Sequence, residues 1–243
     1  MSQRLFFFVV SVTLVGTLCL AQEAPVVMSV NRPPDGSVTV QIANHHQAAL
    51  TAYVLEVDRE PVAANGPHGR GILYFDSLIN PWQNKSFAPG ETRTIRVAGP
   101  SRGPTPWQIT PTLKAAVFED GTTFGDSDTV ALVIAARKMF FEELGKAISL
   151  IQTAKAQGMS REELIREATR QQQADLAGAQ EPEEKRAVAN PWGTLRTNLK
   201  RDASLPLENA EEAVLQMFMR LRQGLIQAKP SVAPQGATVN PAN

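Results

Sequence analysis

The run Ala116-Val117-Phe118-Glu119-Asp120-Gly121-Thr122, followed by Thr123-Phe124-Gly125 and then Asp126-Ser127-Asp128, is where this chain changes its periodicity. Before it, apolar residues recur at every second position; after it, at every third or fourth. Alternation marks strands with one buried and one wetter face, and the longer period marks helix. Asp120-Gly121 has the chemistry of a hairpin tip, while Asp126, Ser127 and Asp128 are suited to capping a helix N-terminus. The fold class expected from this junction is α+β, strands first and helices second.

Working back from the junction, Val38, Val40 and Ile42 share one face of Val38-Thr39-Val40-Gln41-Ile42. Tyr53, Leu55 and Val57 do the same in the next segment, and Thr94-Ile95-Arg96-Val97 and Leu113-Lys114-Ala115-Ala116-Val117-Phe118 repeat the idea. The gaps hold turn residues: Arg32-Pro33-Pro34-Asp35-Gly36 and Ala88-Pro89-Gly90-Glu91. Short strands at this spacing, with no helical segment between them, predict an antiparallel β-sandwich over residues 22–127.

Val38–Asn44, Thr51-Ala52-Tyr53-Val54, Ala88-Pro89-Gly90-Glu91-Thr92 and the hairpin at 116–122 together resemble immunoglobulin-like modules of exported bacterial proteins. The resemblance covers about residues 25–127 and is one of pattern, with no catalytic motif. It implies a role in adhesion, scaffolding or ligand presentation. The cysteine pair of antibody domains is absent.

Working forward, the helical period runs to about residue 157, where Gly158 supplies a stop. Val130, Ile134, Phe141, Leu144, Ile148 and Ile151 form one stripe, interrupted by Arg137. A helix of ~30 residues is ~45 Å long, longer than most sandwich faces. It must project beyond the sandwich or pair with other helices. Ser160-Arg161-Glu162-Glu163 is a capping-box signature opening a second helix with Leu164, Ile165 and Ala168 on one face. Residues 171–190 read as a polar linker. Asn190-Pro191 starts a short third helix with Leu195 and Leu199, and 206–228 forms the last, with Leu207, Val214, Met217, Phe218, Leu221 and Leu225. The helical region is thus 128–229. Residues 230–243 have the composition of a disordered tail. The apolar helix stripes call for burial within the chain, docking on the sandwich, or self-association with a protein partner.

At the N-terminus, Met1-Ser2-Gln3-Arg4 precedes an apolar run of about 16 residues, short for a transmembrane helix and typical of a signal peptide. Cys19-Leu20-Ala21 places small residues for cleavage before Gln22, so residues 1–21 are read as a signal peptide. Leu18 is too large for the triplet that precedes a lipidated cysteine. The expected location is periplasmic or extracellular, with no stable membrane span after cleavage. Cys19 is the chain's one cysteine, so the mature protein has neither a disulfide nor a thiol nucleophile. With 24 acidic and 24 basic residues no net field points to nucleic acid.

Candidate sites are few. Glu119, Asp120, Asp126 and Asp128 are weak candidates for Ca²⁺, whose hard charge favours several oxygens, but hairpin and capping roles account for them and the spacing is not that of an EF-hand loop. His45, His46 and His68 are the only histidines, and adjacent strand residues point to opposite faces, which chelates poorly. Glu56, Asp76 and Glu119 are conceivable acid pairs for glycoside hydrolysis, with surface carboxylates as the default reading. No Gly-x-Ser-x-Gly elbow occurs, so no catalytic residue and no cofactor is assigned. Trp82 and Trp107, both beside prolines, are weak candidates for stacking on carbohydrate or for plugging the end of the sandwich. The expected function is that of a non-catalytic interaction protein; the alternative is a carbohydrate-binding module. Intact-mass measurement of the exported protein is expected to give a chain starting at Gln22; a retained N-terminus overturns the cleavage reading.

Overall fold

The change of period is executed at Gly125. Its φ is +100°, and a Cβ added there would lie 2.1 Å from the carbonyl oxygen of Lys114, so only glycine fits. The next residue, Asp126, donates its backbone N–H to that same Lys114 oxygen at 2.7 Å and caps the following helix by accepting from Thr129 N at 2.9 Å. Sheet therefore passes into helix with no linker. In this computed structural model residues 24–34, 37–61, 68–80, 85–98, 107–201 and 204–228 are described. The expected signal peptide at 1–21, the Asp35-Gly36 turn, Trp82 and the tail at 230–243 lie outside those residues.

Among the described residues seven strands come first: β1 Val26–Asn31, β2 Val38–Asn44, β3 Leu50–Pro61, β4 Gly69–Asp76, β5 Thr92–Ala98, β6 Trp107–Phe118 and β7 Thr123–Gly125. Four helices follow: α1 Ser127–Gln157, α2 Arg161–Leu176, α3 Pro182–Arg201 and α4 Leu207–Gln227. The strands form two antiparallel sheets, ordered β1-β2-β5 and β4-β3-β6-β7. The β-then-α order expected from the sequence is what the fold has. One buried cluster is fed by both sheets: Val26, Val38, Val40 and Ile42 from the first, Leu50, Tyr53, Leu55, Phe75 and Phe118 from the second. Asn44, fully buried, closes the end of β2 by donating to the carbonyls of Ala48, Phe87 and Ala88 while its oxygen accepts from His46 N.

Strand β3 changes character along its length. Residues 50–55 are buried on both faces, whereas from Glu56 onward only Val57 is buried. The reason is α1, whose first turns lay Val133, Val130 and Ile134 over Ala52, Val54, Ala115 and Val117 on the outer face of the larger sheet. The rest of α1, a helix of 31 residues, runs on into the core of the helical half. There Phe140, Phe141, Leu144, Ile151, Trp192, Leu195, Phe218 and Leu225 are buried together, with Ile79 and the neighbouring Leu78 and Tyr74 contributed by the β half. The helix stripes are therefore consumed within the chain.

Three expectations are corrected. Residues 171–190 are not a polar linker: α2 continues to Leu176 and α3 begins at Pro182. Buried Ala187 and Val188 explain why that stretch orders. The third helix does not start at Asn190-Pro191, because Pro191 sits inside α3 and interrupts the hydrogen-bond ladder without ending the helix. Nor does Arg137 interrupt the stripe; it lies on it and is fully buried. The Ser160 capping box and the Gly158 stop (φ +64°) are as expected.

Arg137 connects the halves. Its Nε donates to Asp76 Oδ2 at 2.7 Å, and its Nη2 donates to Asp76 Oδ1 at 3.2 Å and to Thr51 Oγ1 at 2.9 Å. Thr51 donates onward to the Val117 carbonyl, and Asp76 also accepts from the Tyr74 hydroxyl and the Leu78 backbone N–H. The end of β4, the start of β3, the end of β6 and the middle of α1 thus meet at one buried ion pair. Asp76, read from sequence as a surface carboxylate, is 1% exposed and engaged by this guanidinium. Removing one member of a buried pair strands the other, at a cost of about 3–5 kcal/mol. Arg137→Met is expected to lose about that much stability in urea unfolding, and adding Asp76→Asn in the same chain to recover part of it. A loss below about 1 kcal/mol for the single variant, the range of an exposed pair, overturns this role.

Candidate functional site

Outside that pair, a hydrogen-bonded group of ionisable side chains around the buried Glu143 lies among α1, α2 and α3. Glu143 and Lys146, three residues apart, face the same side of α1. Lys146 Nζ donates to Glu143 Oε1 at 2.6 Å and to Asp175 Oδ1, near the end of α2, at 2.8 Å. Trp192, fully buried on α3, donates its indole N–H to Glu143 Oε2 at 2.7 Å, and Gln171 donates to Asp175. Burial holds the Glu143 carboxyl above the usual range, with the nearby Asp175 charge adding to the effect and the Lys146 and Trp192 hydrogen bonds opposing it. Burial acts the same way on Asp175, but hydrogen bonds from Lys146, Glu143 and Gln171 outweigh it and leave that carboxyl low. A cavity of about 470 Å³ opens beside the group, lined by Gly145, Lys146, Ser149, Gln171 and Trp192 among others.

Two carboxyls with pKa values pushed apart resemble an acid–base pair. The hydrogen bonding argues for a different use. Both Glu143 oxygens are occupied by side chains of the protein, so neither is presented to a substrate. The cluster satisfies the indole N–H of a buried tryptophan and ties three helices together, a structural task.

The residues singled out in the sequence do not converge. Asp120 accepts from Thr122 N at the hairpin tip, where Gly121 has φ +91°, and Asp126 caps α1; Glu119 and Asp128 are exposed. Among the described residues no group of three or more His, Cys, Asp or Glu side chains could hold a metal ion. His46 packs its ring on Phe118 at 4.3 Å, with Nδ1 accepting from Ala48 N and Nε2 3.8 Å from Asp120. His68 is exposed, just ahead of β4, and His45 is exposed at the turn after β2. Glu56 lies on the outer face of the larger sheet, 3.7 Å from Arg70 and 3.8 Å from Lys114. Trp107 opens β6 opposite Pro61, two residues beyond Ile109 of the shared core, and is 41% exposed. Trp82 lies outside the described residues. Among the described residues no helix is long and apolar enough to cross a membrane.

A second surface has no helix over it among the described residues. On the outward side of the smaller sheet, the strand register aligns Val27 with Ala43 and Thr92, Ser29 with Gln41 and Thr94, and Asn31 with Thr39 and Arg96. Of these nine side chains only Arg96 is charged, at one corner. The outer face of the larger sheet differs: α1 covers one end, and Arg70, Lys114, Glu56 and Asp58 neutralise one another at the other.

Trp192 and Glu143 were missed in the sequence. The available signal was that Arg137, Phe140, Leu144, Ala147 and Ile151 continue one helical stripe, so a charge inside it had to be either paired or misplaced. No family model matches the chain, and no curated protein or solved structure is similar enough to be matched.

The Glu143 cluster makes a signed prediction. The folded state holds the Glu143 proton more tightly than the unfolded chain, whose glutamate titrates near 4.5. This group therefore favours folding in acid, and its contribution is lost as pH rises through the raised folded value. Asp175, held low, contributes in the opposite sense, and its contribution is lost as pH falls through its depressed value. Glu143→Gln, which still accepts from Trp192, is expected to gain stability relative to the parent as pH rises from about 4 to 7. Glu143→Ala leaves the buried indole N–H unpaired and is expected to cost about 1–3 kcal/mol at neutral pH. Denaturant titrations at the two pH values check both; equal pH dependence for parent and Gln variant overturns the assignment.

Proposed function

We propose that this chain is an exported, non-catalytic interaction protein in which an immunoglobulin-like β-sandwich carries the binding surface and the helices dock on it as a brace. The observation that carries the reading is that the helical stripes are spent on an intrachain core, leaving the uncovered face of the smaller sheet as the extended surface available to a partner. The immunoglobulin-like part is supported by the pairing. Lettered A, B, C, C′, E, F and G in chain order, the strands pair as A-B-E and C′-C-F-G, a division close to that of immunoglobulin domains. Export is supported by the N-terminal pattern and the cysteine-free mature sequence.

The face suits a protein. Interface centres are depleted of Lys, Glu and Asp, and here Ser29, Thr39, Gln41 and Thr94 supply hydrogen bonds at little desolvation cost while Arg96 marks one corner for a carboxylate. Strands β1 and β5 are both edges of that sheet, so an extended partner segment has free backbone groups to pair with. A carbohydrate reading has one observation in its favour, the partial exposure of Trp107. Its place at the end of the strand row that feeds the shared core fits a plug better than a stacking platform.

A photocrosslinking residue placed at Gln41 in the secreted full chain is expected to yield a discrete protein adduct, and one placed at Arg220 on α4 none. An adduct at Arg220 alone, or at neither position, overturns the reading. Trp107→Ala is expected to leave retention on immobilised glycans unchanged.

A further inference from the structure

A cavity of about 590 Å³ lies where the turn after β4 meets α3 and α4, apart from the face above and from the Glu143 cluster. Asn80 enters it from the β half, Met217 from α4, and α3 supplies Asn190, Gly193, Thr194, Thr197, Asn198 and Arg201. Those α3 positions recur at three- and four-residue intervals, so they form one stripe, opposite the buried Val188, Trp192, Leu195 and Leu199.

A polar stripe on a helix is ordinarily a solvated face, and the outward positions of the other helices look like one. Glu162, Arg166 and Arg170 on α2, and Glu208, Glu212, Gln216 and Arg220 on α4, are long side chains that favour helix. Apart from Arg201 at its end, the α3 stripe is built from asparagine, threonine and glycine, which rank low in helix propensity. A Cβ added at Gly193 would meet no atom within 4 Å, so the glycine is not relieving a clash. What it does is keep the cavity open.

The polar groups are also arranged. Asn190 Nδ2 donates to Asn80 Oδ1 at 2.9 Å, which joins the two halves across the cavity; among the described residues the other end of each amide, Asn80 Nδ2 and Asn190 Oδ1, is a spare donor and acceptor. Asn198 is held by donating to the Thr194 carbonyl and by accepting from Arg201 at 2.6 Å. The Thr194 and Thr197 hydroxyls each offer a donor and acceptors. Among the described residues no carboxylate lines the cavity, so the lining offers a cation no anionic ligand, while Met217 and Ala189 give an apolar patch. The volume falls in the range of about 300–1,000 Å³ occupied by small-molecule sites, which favour junctions between structural units.

We propose that this cavity binds a small uncharged polyhydroxylated ligand, a sugar or polyol, through Asn80, Asn190, Thr194 and Thr197. Such a ligand presents paired hydroxyls to amides and hydroxyls, and its C–H face to Met217. The site is independent of the sheet face and of Trp107.

The test is a titration of the full mature chain with a panel of neutral mono- and disaccharides and glycerol, each at up to 50 mM, read by thermal shift and calorimetry. At least one member is expected to raise the melting temperature of the parent, with saturable heat. Gly193→Leu, which fills the cavity with a better helix former, is expected to melt no lower than the parent and to weaken that binding at least tenfold. Thr194→Val, close in shape but without the hydroxyl, is expected to weaken it several-fold. Three results overturn the proposal: no response to any panel member, a response unchanged in Gly193→Leu, or a response to inorganic phosphate with none to the sugars.

Discussion

The burial of Arg137 against Asp76 is the constraint around which the two halves are arranged. A guanidinium taken wholly out of water must be met by a carboxylate and further acceptors, or the fold bears a desolvation cost of several kcal/mol. Here Asp76 meets it with both oxygens and Thr51 adds a third contact. Those partners come from the end of β4 and the start of β3, so satisfying one side chain fixes where α1 crosses the sheet and how far along it the crossing falls. Tyr74 and the Leu78 backbone complete the coordination of Asp76, which also sets the turn leading to Ile79 and Asn80. The burial of Ile79 in the helical core and the Asn80–Asn190 bond depend in turn on that placement.

From that crossing the division of labour between surfaces follows. The start of α1 covers the apolar half of the outer face of the larger sheet, and the ion pairs around Glu56 keep the other half wet. The rest of α1 extends past the sheet, and α2, α3 and α4 cover it with side chains that need no partner chain. Glu143, Lys146, Asp175 and Trp192 repeat on a smaller scale the logic of the Arg137 pair: the buried Glu143 accepts from Trp192 and from Lys146, which reaches on to Asp175, fixing which helix sits against which. Among the described residues this packing leaves two surfaces uncovered: the almost uncharged outer face of the smaller sheet, and the amide- and hydroxyl-lined cavity at the junction.

Much of the fold was legible in local sequence, because the signals concerned act over a few residues. Period-two alternation located β2, β3, β5 and β6; Gly158 and Ser160 marked the break between α1 and α2; and Asp126 marked the start of α1. The failures share a cause. Residues 171–190 look like a linker because their charge is high, yet Ala187 and Val188 bury against helices distant in sequence. Pro191 looks like a helix start because its ring bars an ideal interior, yet the packing of Val188 before it and of Trp192 and Leu195 after it holds the helix through it. The candidate site was less legible still. Amides, hydroxyls and glycine on one helix face acquire meaning only once Asn80 and Met217 enclose them.

By itself, then, the sequence determined the order of sheet and helix, the location of their boundary at Gly125, and most helix ends. These follow from backbone geometry and side-chain periodicity, which are local. Tertiary structure alone decided that Arg137 and Asp76 are partners, that the helix stripes close on one another, and that Asn80 and Asn190, 110 residues apart, line one cavity. A buried charge carries no mark of its partner in the chain, since the pairing is set by where two distant segments come to rest.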